Sequence, residues 1–312
     1  MLARRARLTR SAAYASIALA LCLAALKGWA TWRTGSTAML GSLADTALDL
    51  VASVATLVGV WIAAMPADED HRFGHGKAEA LAAMVQVILI AVSATGIAIR
   101  AVVALAAGAR TQAAGEGIVV SLIAIAATLA LLAWQRRVIA RTDSVAIRAD
   151  HVHYQSDLLL NLAVIAALAL DQFGGFGLAD PLFGLAIAAW LYRGAWRAGS
   201  EAVDQLLDRE WPEERRLAFV AAAARHPELS NLHDLRTRSS GTRDFVQFHV
   251  DLPGAMTVEQ AMAIIHRVED DLRERFPGIE LLIHIDPAGH VDEPDNPLVE
   301  EDEFAKLEDR PT

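Results

Sequence analysis

The stretch "SLADTALDLVAS", residues 42–53, places two carboxylates inside a long apolar run. Asp45 and Asp49 are four residues apart, so they share one face of a helix. A charge at the centre of a bilayer costs about 2.5–3.5 kcal/mol on insertion scales, and a dry protein core also excludes unpaired carboxylates. The pair therefore indicates a functional site inside a membrane domain.

Apolar residues are concentrated in the first two thirds of the chain. The protein has 312 residues, of which 54% are hydrophobic and 21% charged. A membrane-spanning helix needs about 20 mostly apolar residues. The basic start "MLARRARLTR" resembles a signal peptide, but the hydrophobic segments that follow favour a first span. Six segments are predicted to span the membrane: about 12–32, 38–64, 80–107, 116–135, 144–170 and 178–200.

Basic residues predict the orientation of these spans. They precede span one and lie in the loops after spans two and four, whereas the opposite loops contain few. The positive-inside rule then places the N-terminus in the cytoplasm, and an even number of spans places the C-terminus there too. We expect a multi-pass membrane protein with a domain order of 1–206 transmembrane, 207–290 cytoplasmic and 291–312 acidic tail.

The region after the spans has the pattern of a small soluble domain. Helical and alternating segments follow in the order α-β-β-α-β within about 80 residues, which predicts a small α+β sandwich. Between 291 and 312, nine acidic and two basic residues account for seven of the ten net negative charges. We expect this tail to be disordered and solvated. No basic, aromatic-studded face indicates nucleic-acid binding, and the single cysteine, Cys22, excludes a disulfide framework.

A second intramembrane pair lies in "RADHVHYQSDLLLNLAV", residues 148–164, where His153 and Asp157 are four apart. Each pair lies at a similar distance from the cytoplasmic end of its helix, so two helices can bring the four side chains together. Three carboxylates and an imidazole can hold protons or a divalent cation. One nitrogen and three oxygens suit a tetrahedral Zn²⁺ site, and Cd²⁺, Fe²⁺ or Mn²⁺ also fit.

This chemistry predicts a proton-coupled metal carrier rather than an enzyme. A membrane-embedded metalloprotease would need a motif such as His-Glu-x-x-His, which the sequence lacks. A sensor or scaffold would leave the intramembrane carboxylates without a role. Interhelical hydrogen bonding would explain one aspartate, but it explains two ligand pairs at one depth poorly.

Several motifs in the chain resemble the cation diffusion facilitator family, and most closely its bacterial zinc or ferrous-iron efflux pumps. They are "TGSTAMLGSLADTALDLVAS", "PADEDHRFGHGKAEALAA", "RADHVHYQSDLLLN", "LLDREWPEE", "HDLRTRSSG" and "HIDP". The resemblance implies a homodimer in the bacterial inner membrane that exchanges cytosolic divalent metal for protons. It also implies a six-helix all-α transmembrane domain followed by a ferredoxin-like, metallochaperone-like cytoplasmic domain.

The resemblance also assigns metal sites. Its transport site falls on Asp45, Asp49, His153 and Asp157, and its second site falls on the loop "PADEDHRFGHGKAEA". The residues that match the loop site are Asp68, His71 and His75. Asp70 is an alternative ligand there, and a solvated loop without metal is the alternative to a site.

The cytoplasmic metal site of the family falls on His233, His249, His284 and Asp286. Relatives place a histidine where this chain has Met262, and His266, one turn later, is a possible substitute; we therefore expect one zinc there rather than two. The resemblance further predicts a salt bridge between Lys77 and Asp208. We expect His151, His226 and His290 to be polar or interface residues.

Overall fold

A computed structural model of the protein describes residues 2–34, 37–107, 118–174, 178–289 and 301–308. The chain divides into two compact units, Met1–Val203 and Asp204–Thr312. The first is helical and the second combines helices with a sheet. Each unit is described by itself below.

Long helices build the first unit. Their bounds are α1 Leu2–Thr34, α2 Thr37–Ala63, α3 Ala78–Ala107, α4 Ile118–Thr142, α5 Val145–Gly174 and α6 Ala179–Leu206. Within the described residues, four of them, α1 to α4, contain segments long and apolar enough to cross a membrane. The α5 and α6 helices have 30 and 28 residues and are not among these four. The predicted helices are therefore present, and spanning by α5 and α6 stays a prediction.

The outer surface of these helices is apolar, as expected for contact with lipid. Exposed valine, leucine and isoleucine side chains follow one another along α2 and α3, including Val51, Val58, Ile88 and Val92. Near the end of α1, Trp29 and Trp32 are exposed. Tryptophan is enriched where a helix leaves the hydrocarbon. Its position at this helix end supports a membrane interface there.

Small residues bring α2 and α3 close together. A Cβ atom placed on Gly59 would lie 2.3 Å from the Ala82 Cβ and 3.0 Å from the Ala78 carbonyl oxygen. Helices in membranes associate through such small residues, because lipid leaves little hydrophobic drive for helix association. This contact helps hold α2, which carries Asp45 and Asp49, against the rest of the bundle.

The second unit has the predicted αββαβ order. Its elements are α7 Glu213–Ala223, β1 Ser230–Ser239, β2 Asp244–Leu252, α8 Val258–Arg275 and β3 Ile279–Pro287. The sheet order is β1-β2-β3, with β1 and β2 antiparallel and β2 and β3 parallel. Parallel strands need a long crossover connection, which α8 supplies. A capping box of Thr257 and Gln260 fixes the start of α8.

The core of this unit lies between the helices and one face of the sheet. Phe219, Leu232, Phe248 and Leu272 are each at most 1% exposed. Val246, Phe248 and Val250 alternate along β2 as the sequence pattern predicts, and all three belong to this core. The opposite face of the sheet carries Gln247 and His249 on β2 and Leu282, His284 and Asp286 on β3.

The described part of the C-terminal segment differs from the expected disordered tail. Glu303–Glu308 forms a short helix, α9, and Phe304 packs against the hydrophobic core of the second unit. Burial of an aromatic ring offsets part of the cost of ordering the chain, which composition alone does not reveal. Residues 290–300 and 309–312 lie outside the described residues.

The close approach of α2 to α3 can be tested with Gly59→Ala. We expect a lower melting temperature in detergent or nanodiscs, because the new methyl group overlaps Ala82. Gly96→Ala is the matched control, since a Cβ there meets nothing within 4 Å. Equal stability of the two variants would contradict this packing.

Candidate metal centres

The intramembrane cluster joins α2 to α5. The His153 Nε2 atom lies 3.0 Å from the Asp49 Oδ1 atom and 4.0 Å from the Asp157 Oδ2 atom. One ligand atom from each of these three residues lies within 4.8 Å of the others. Residues four apart on α5 point the same way, so one helix supplies two ligands and its neighbour the third. The spacing suits a shared cation.

The fourth predicted ligand of this cluster, Asp45, is not among the three residues whose ligand atoms lie within 4.8 Å of one another. It is one helical turn from Asp49 on α2, and it is exposed. The ligand atoms brought together are those of Asp49, His153 and Asp157. Four-coordinate binding would require the Asp45 carboxylate to turn toward them.

The backbone around the cluster is held by polar side chains of α5 itself. Ser156 Oγ donates to the His153 carbonyl oxygen at 2.5 Å, and Asn161 Nδ2 donates to the Asp157 carbonyl oxygen at 2.7 Å. The His153 ring is almost buried, whereas about a third of the Asp157 side chain is exposed. The imidazole is thus fixed in place while the Asp157 carboxylate is accessible.

A buried hydrogen-bond network beside the cluster was not anticipated from sequence. Asp150 is fully buried and accepts hydrogen bonds from Ser16 at 2.6 Å, Gln135 at 2.8 Å and Gln86 at 3.0 Å. These donors come from α1, α4 and α3, so a single carboxylate ties three helices to α5. It lies one turn before His153. The sequence signal for this network is the pair of glutamines, Gln86 and Gln135, within apolar segments.

The loop between α2 and α3 brings Asp68, His71 and His75 together. Asp68 Oδ1 lies 3.2 Å from His71 Nδ1, and Asp68 Oδ2 lies 3.2 Å from His75 Nε2. The backbone N–H of His71 donates to Asp68 and lowers the pKa of that carboxyl group, so it is ionised at neutral pH. Asp70 is outside this group, and its backbone N–H donates to Asp68. Asp68 and His71 are exposed and His75 is partly buried, and the site stays a prediction.

The cytoplasmic cluster follows directly from strand register. His233 on β1 is paired with His249 on β2, and His249 is paired with His284 on β3, so three imidazoles form a row across the sheet. Asp286 lies beside this row. Its Oδ2 atom is 2.8 Å from His249 Nδ1 and 3.6 Å from His233 Nε2, and its Oδ1 atom is 3.5 Å from His284 Nε2.

The members of this row differ in exposure. His233 and Asp286 are buried, whereas the His284 side chain is 59% exposed. The His233 Nδ1–H group donates to the Asn231 carbonyl oxygen at 2.7 Å, which leaves Nε2 as the metal-facing nitrogen. The tightest candidate ligand group is His233, His249 and Asp286. Met262 is partly exposed on α8, and His266 lies on the exposed face of that helix, outside the group.

The remaining predicted polar residues have other contacts. Asp208 pairs with Arg238 at 3.4 Å within the second unit, and Lys77 belongs to the first unit, so their predicted salt bridge stays a prediction. His151 Nδ1 lies 3.0 Å from Gln135 Oε1, and His226 Nε2 lies 3.2 Å from Asp271 Oδ2. These two histidines therefore have structural partners. His290 lies outside the described residues.

Together, apolar helices with an internal carboxylate–histidine cluster define a multi-pass membrane protein with metal-binding chemistry. Sequence comparison identifies its family. The cation efflux transmembrane domain matches residues 13–207, and the cation efflux protein cytoplasmic domain matches residues 211–288. The chain belongs to the cation efflux family, also called the cation diffusion facilitators, as its motifs predicted. It is a transporter rather than an enzyme.

Two similar proteins are also cation-efflux proteins by their descriptions. The chain is 42% identical over 285 residues to the cation-efflux pump FieF of Klebsiella pneumoniae subsp. pneumoniae, covering 91% of this chain and 95% of that pump. It is 43% identical over 288 residues to the FieF pump of Serratia proteamaculans, covering 92% of this chain and 96% of that pump. Both are described as cation-efflux pumps.

Solved structures that resemble the chain cover only a small part of it. The metal-bound C-terminal domain of the CzcD transporter from Thermotoga maritima is 27% identical, covers 26% of this chain and 99% of its own, and has a TM-score of 0.25. A structure described as the zinc form of a putative zinc transporter, CzrB, is 34% identical. The match covers 27% of this chain and 98% of that one, with a TM-score of 0.25. The family assignment depends on the domain matches and the pumps, not on these.

The geometry of the cytoplasmic cluster predicts different effects for its histidines. His233→Ala should remove bound zinc, because His233 is buried against Asp286, whereas His284→Ala should weaken binding less, because His284 is exposed. Metal content of the purified full-length protein after equilibration in a weak chelator would measure this. His266→Ala is the matched control. Equal zinc loss in the His266 and His233 variants would contradict the assignment.

Proposed function

We propose that the protein exports divalent metal ions, with Zn²⁺ as the principal substrate and Cd²⁺ and Fe²⁺ as further substrates, in exchange for protons. The observation that carries this proposal is the Asp49, His153 and Asp157 cluster within apolar helices. Membership of a family of cation-efflux pumps supports it.

The ligand set supports a borderline cation. Imidazole nitrogen and carboxylate oxygen are usual zinc ligands, and zinc sites in proteins are most often four-coordinate. Asp45 would supply the fourth position by turning toward the cluster, and a solvent molecule would otherwise fill it. Carboxylate-rich ligands also accept Fe²⁺ and Cd²⁺, so ligand type alone does not restrict the site to zinc.

Proton exchange follows from charge balance. Asp45, Asp49 and Asp157 together would carry three negative charges in a low-dielectric site, which is unfavourable unless a cation or protons are present. Metal binds only the deprotonated ligands, so its entry expels protons and its departure allows them to return. Metal and protons therefore occupy the same side chains in turn.

The arrangement in the cell is part of the proposal. Both termini lie in the cytoplasm, the helices cross the bacterial inner membrane, and two copies form a homodimer. Metal then loads from the cytosol, and an inward proton gradient drives it out. The loop site and the cytoplasmic zinc site would assist metal capture and dimerisation.

Asp49→Ala and Asp157→Ala should each abolish Zn²⁺ uptake into proteoliposomes, because loss of one ligand opens the cluster. His71→Ala, in the exposed loop, should slow uptake much less. Gln155→Ala is the matched control on α5 and should transport normally. All variants should give the same elution profile as the wild type, and wild-type uptake by either aspartate variant would contradict the transport site.

Proton release on metal binding is a separate consequence of the shared site. Calorimetry in buffers of different ionisation enthalpy should show protons leaving when Zn²⁺ binds, and binding should weaken as the pH falls. Asp157→Asn should reduce the number of protons released. Zinc binding at this cluster without proton release in any buffer would exclude the antiport mechanism.

A further inference from the structure

A lysine of α1 makes a hydrogen bond to the part of α2 that carries Asp45 and Asp49. Lys27 occurs in the apolar run "LALCLAALKGWATW", residues 19–32. Its ammonium donates a hydrogen bond to Thr46 Oγ1 at 2.7 Å. Thr46 is fully buried and lies on α2 directly after Asp45 and three residues before Asp49. The charge is therefore directed toward the ligand-bearing part of α2.

The groups that face this region are unbalanced in charge. Asp45 and Asp49 come from α2, and His153 and Asp157 come from α5. The Asp157 carboxylate interacts electrostatically with Lys27 as well as with the other three residues. Three potential negative charges are thus opposed by one imidazole and by an ammonium group from a third helix.

We propose that the Lys27 ammonium is a resident counter-ion of the transport cluster, which partly neutralises its carboxylates when metal is absent and repels the divalent ion when metal is bound. The proposal rests on the export function given above and adds a determinant of metal affinity and release. Lys27 is a positioning residue, because an ammonium has no lone pair with which to bind a metal.

The physical effect of such a charge has a definite sign. A fixed positive charge near a low-dielectric metal site raises the free energy of the metal-bound state more than that of the metal-free state. It weakens binding and speeds dissociation. A transporter benefits from this, because a site that holds its substrate too tightly releases it slowly.

The test compares Lys27→Gln, which removes the charge but retains a hydrogen-bond donor, with Lys27→Arg, which retains the charge. Both are made in full-length protein carrying His71→Ala, His75→Ala, His233→Ala and His249→Ala, so that zinc binding reports the transmembrane cluster. In nanodiscs at constant pH, Lys27→Gln should bind Zn²⁺ roughly tenfold more tightly. Lys27→Arg should bind as the parent does.

Transport kinetics give a second readout, which a purely structural role would not produce. In the otherwise unmodified protein, Lys27→Gln should lower both the KM and the maximal rate of zinc uptake. Unchanged or weaker zinc binding by Lys27→Gln would overturn the proposal, as would tighter binding by Lys27→Arg. Lys27→Met is a second neutral variant, which removes the hydrogen-bond donor as well as the charge. Failure of both neutral variants to fold would assign Lys27 to helix anchoring through Thr46 and would equally overturn it.

One control separates this proposal from the assigned function. Asp49→Ala in the same background should eliminate the remaining zinc binding. If zinc binding persists, the transport site itself is wrong, and the role of Lys27 is overturned with it. If Asp49→Ala eliminates binding while Lys27→Gln leaves affinity unchanged, only the counter-ion role is wrong.

Discussion

Burying a carboxylate among apolar helices is unfavourable in free energy, and this is the main constraint on the first unit of the protein. The structure meets that cost in two different ways. Asp150 accepts hydrogen bonds from side chains of three other helices, so its oxygens are satisfied within the protein. Asp49 and Asp157 share a single imidazole instead. The fully hydrogen-bonded carboxylate is suited to holding helices together, and the two that have few donors are suited to binding a mobile cation.

Asp150 and His153 lie one helical turn apart on α5. The helix is therefore held by hydrogen bonds at one turn and presents metal ligands at the next. Its first turns are fixed by Asp150, and its next turn presents His153 and Asp157. A fixed helix limits how far the imidazole can shift when a ligand changes. Accommodation of different ions is then expected from α2, whose Asp45 is exposed and lies outside the group of three ligands.

Much of this architecture follows from local sequence patterns. Apolar blocks predict the long helices, alternation along β2 predicts its buried face, and spacings of four on α2 and α5 predict which ligands share a face. The exposure of Asp45 could not be predicted, because spacing fixes a direction around the helix but not a side-chain rotamer. Gln86 and Gln135 indicate buried polar contacts from sequence, but their pairing with Asp150 depends on how four separate helices pack. Phe304 shows the same limit in α9, since its burial depends on a core built elsewhere in the chain.

The row of His233, His249 and His284 has a consequence for the synthesis of the protein. Its members come from three different strands, and Asp286, which contacts all three rings, lies near the end of the last strand. Domains form from the N-terminus as the chain leaves the ribosome. The membrane helices are therefore complete well before this cluster can exist. A chain that stops short of β3 would contain the whole intramembrane cluster but lack the carboxylate around which the cytoplasmic histidines gather.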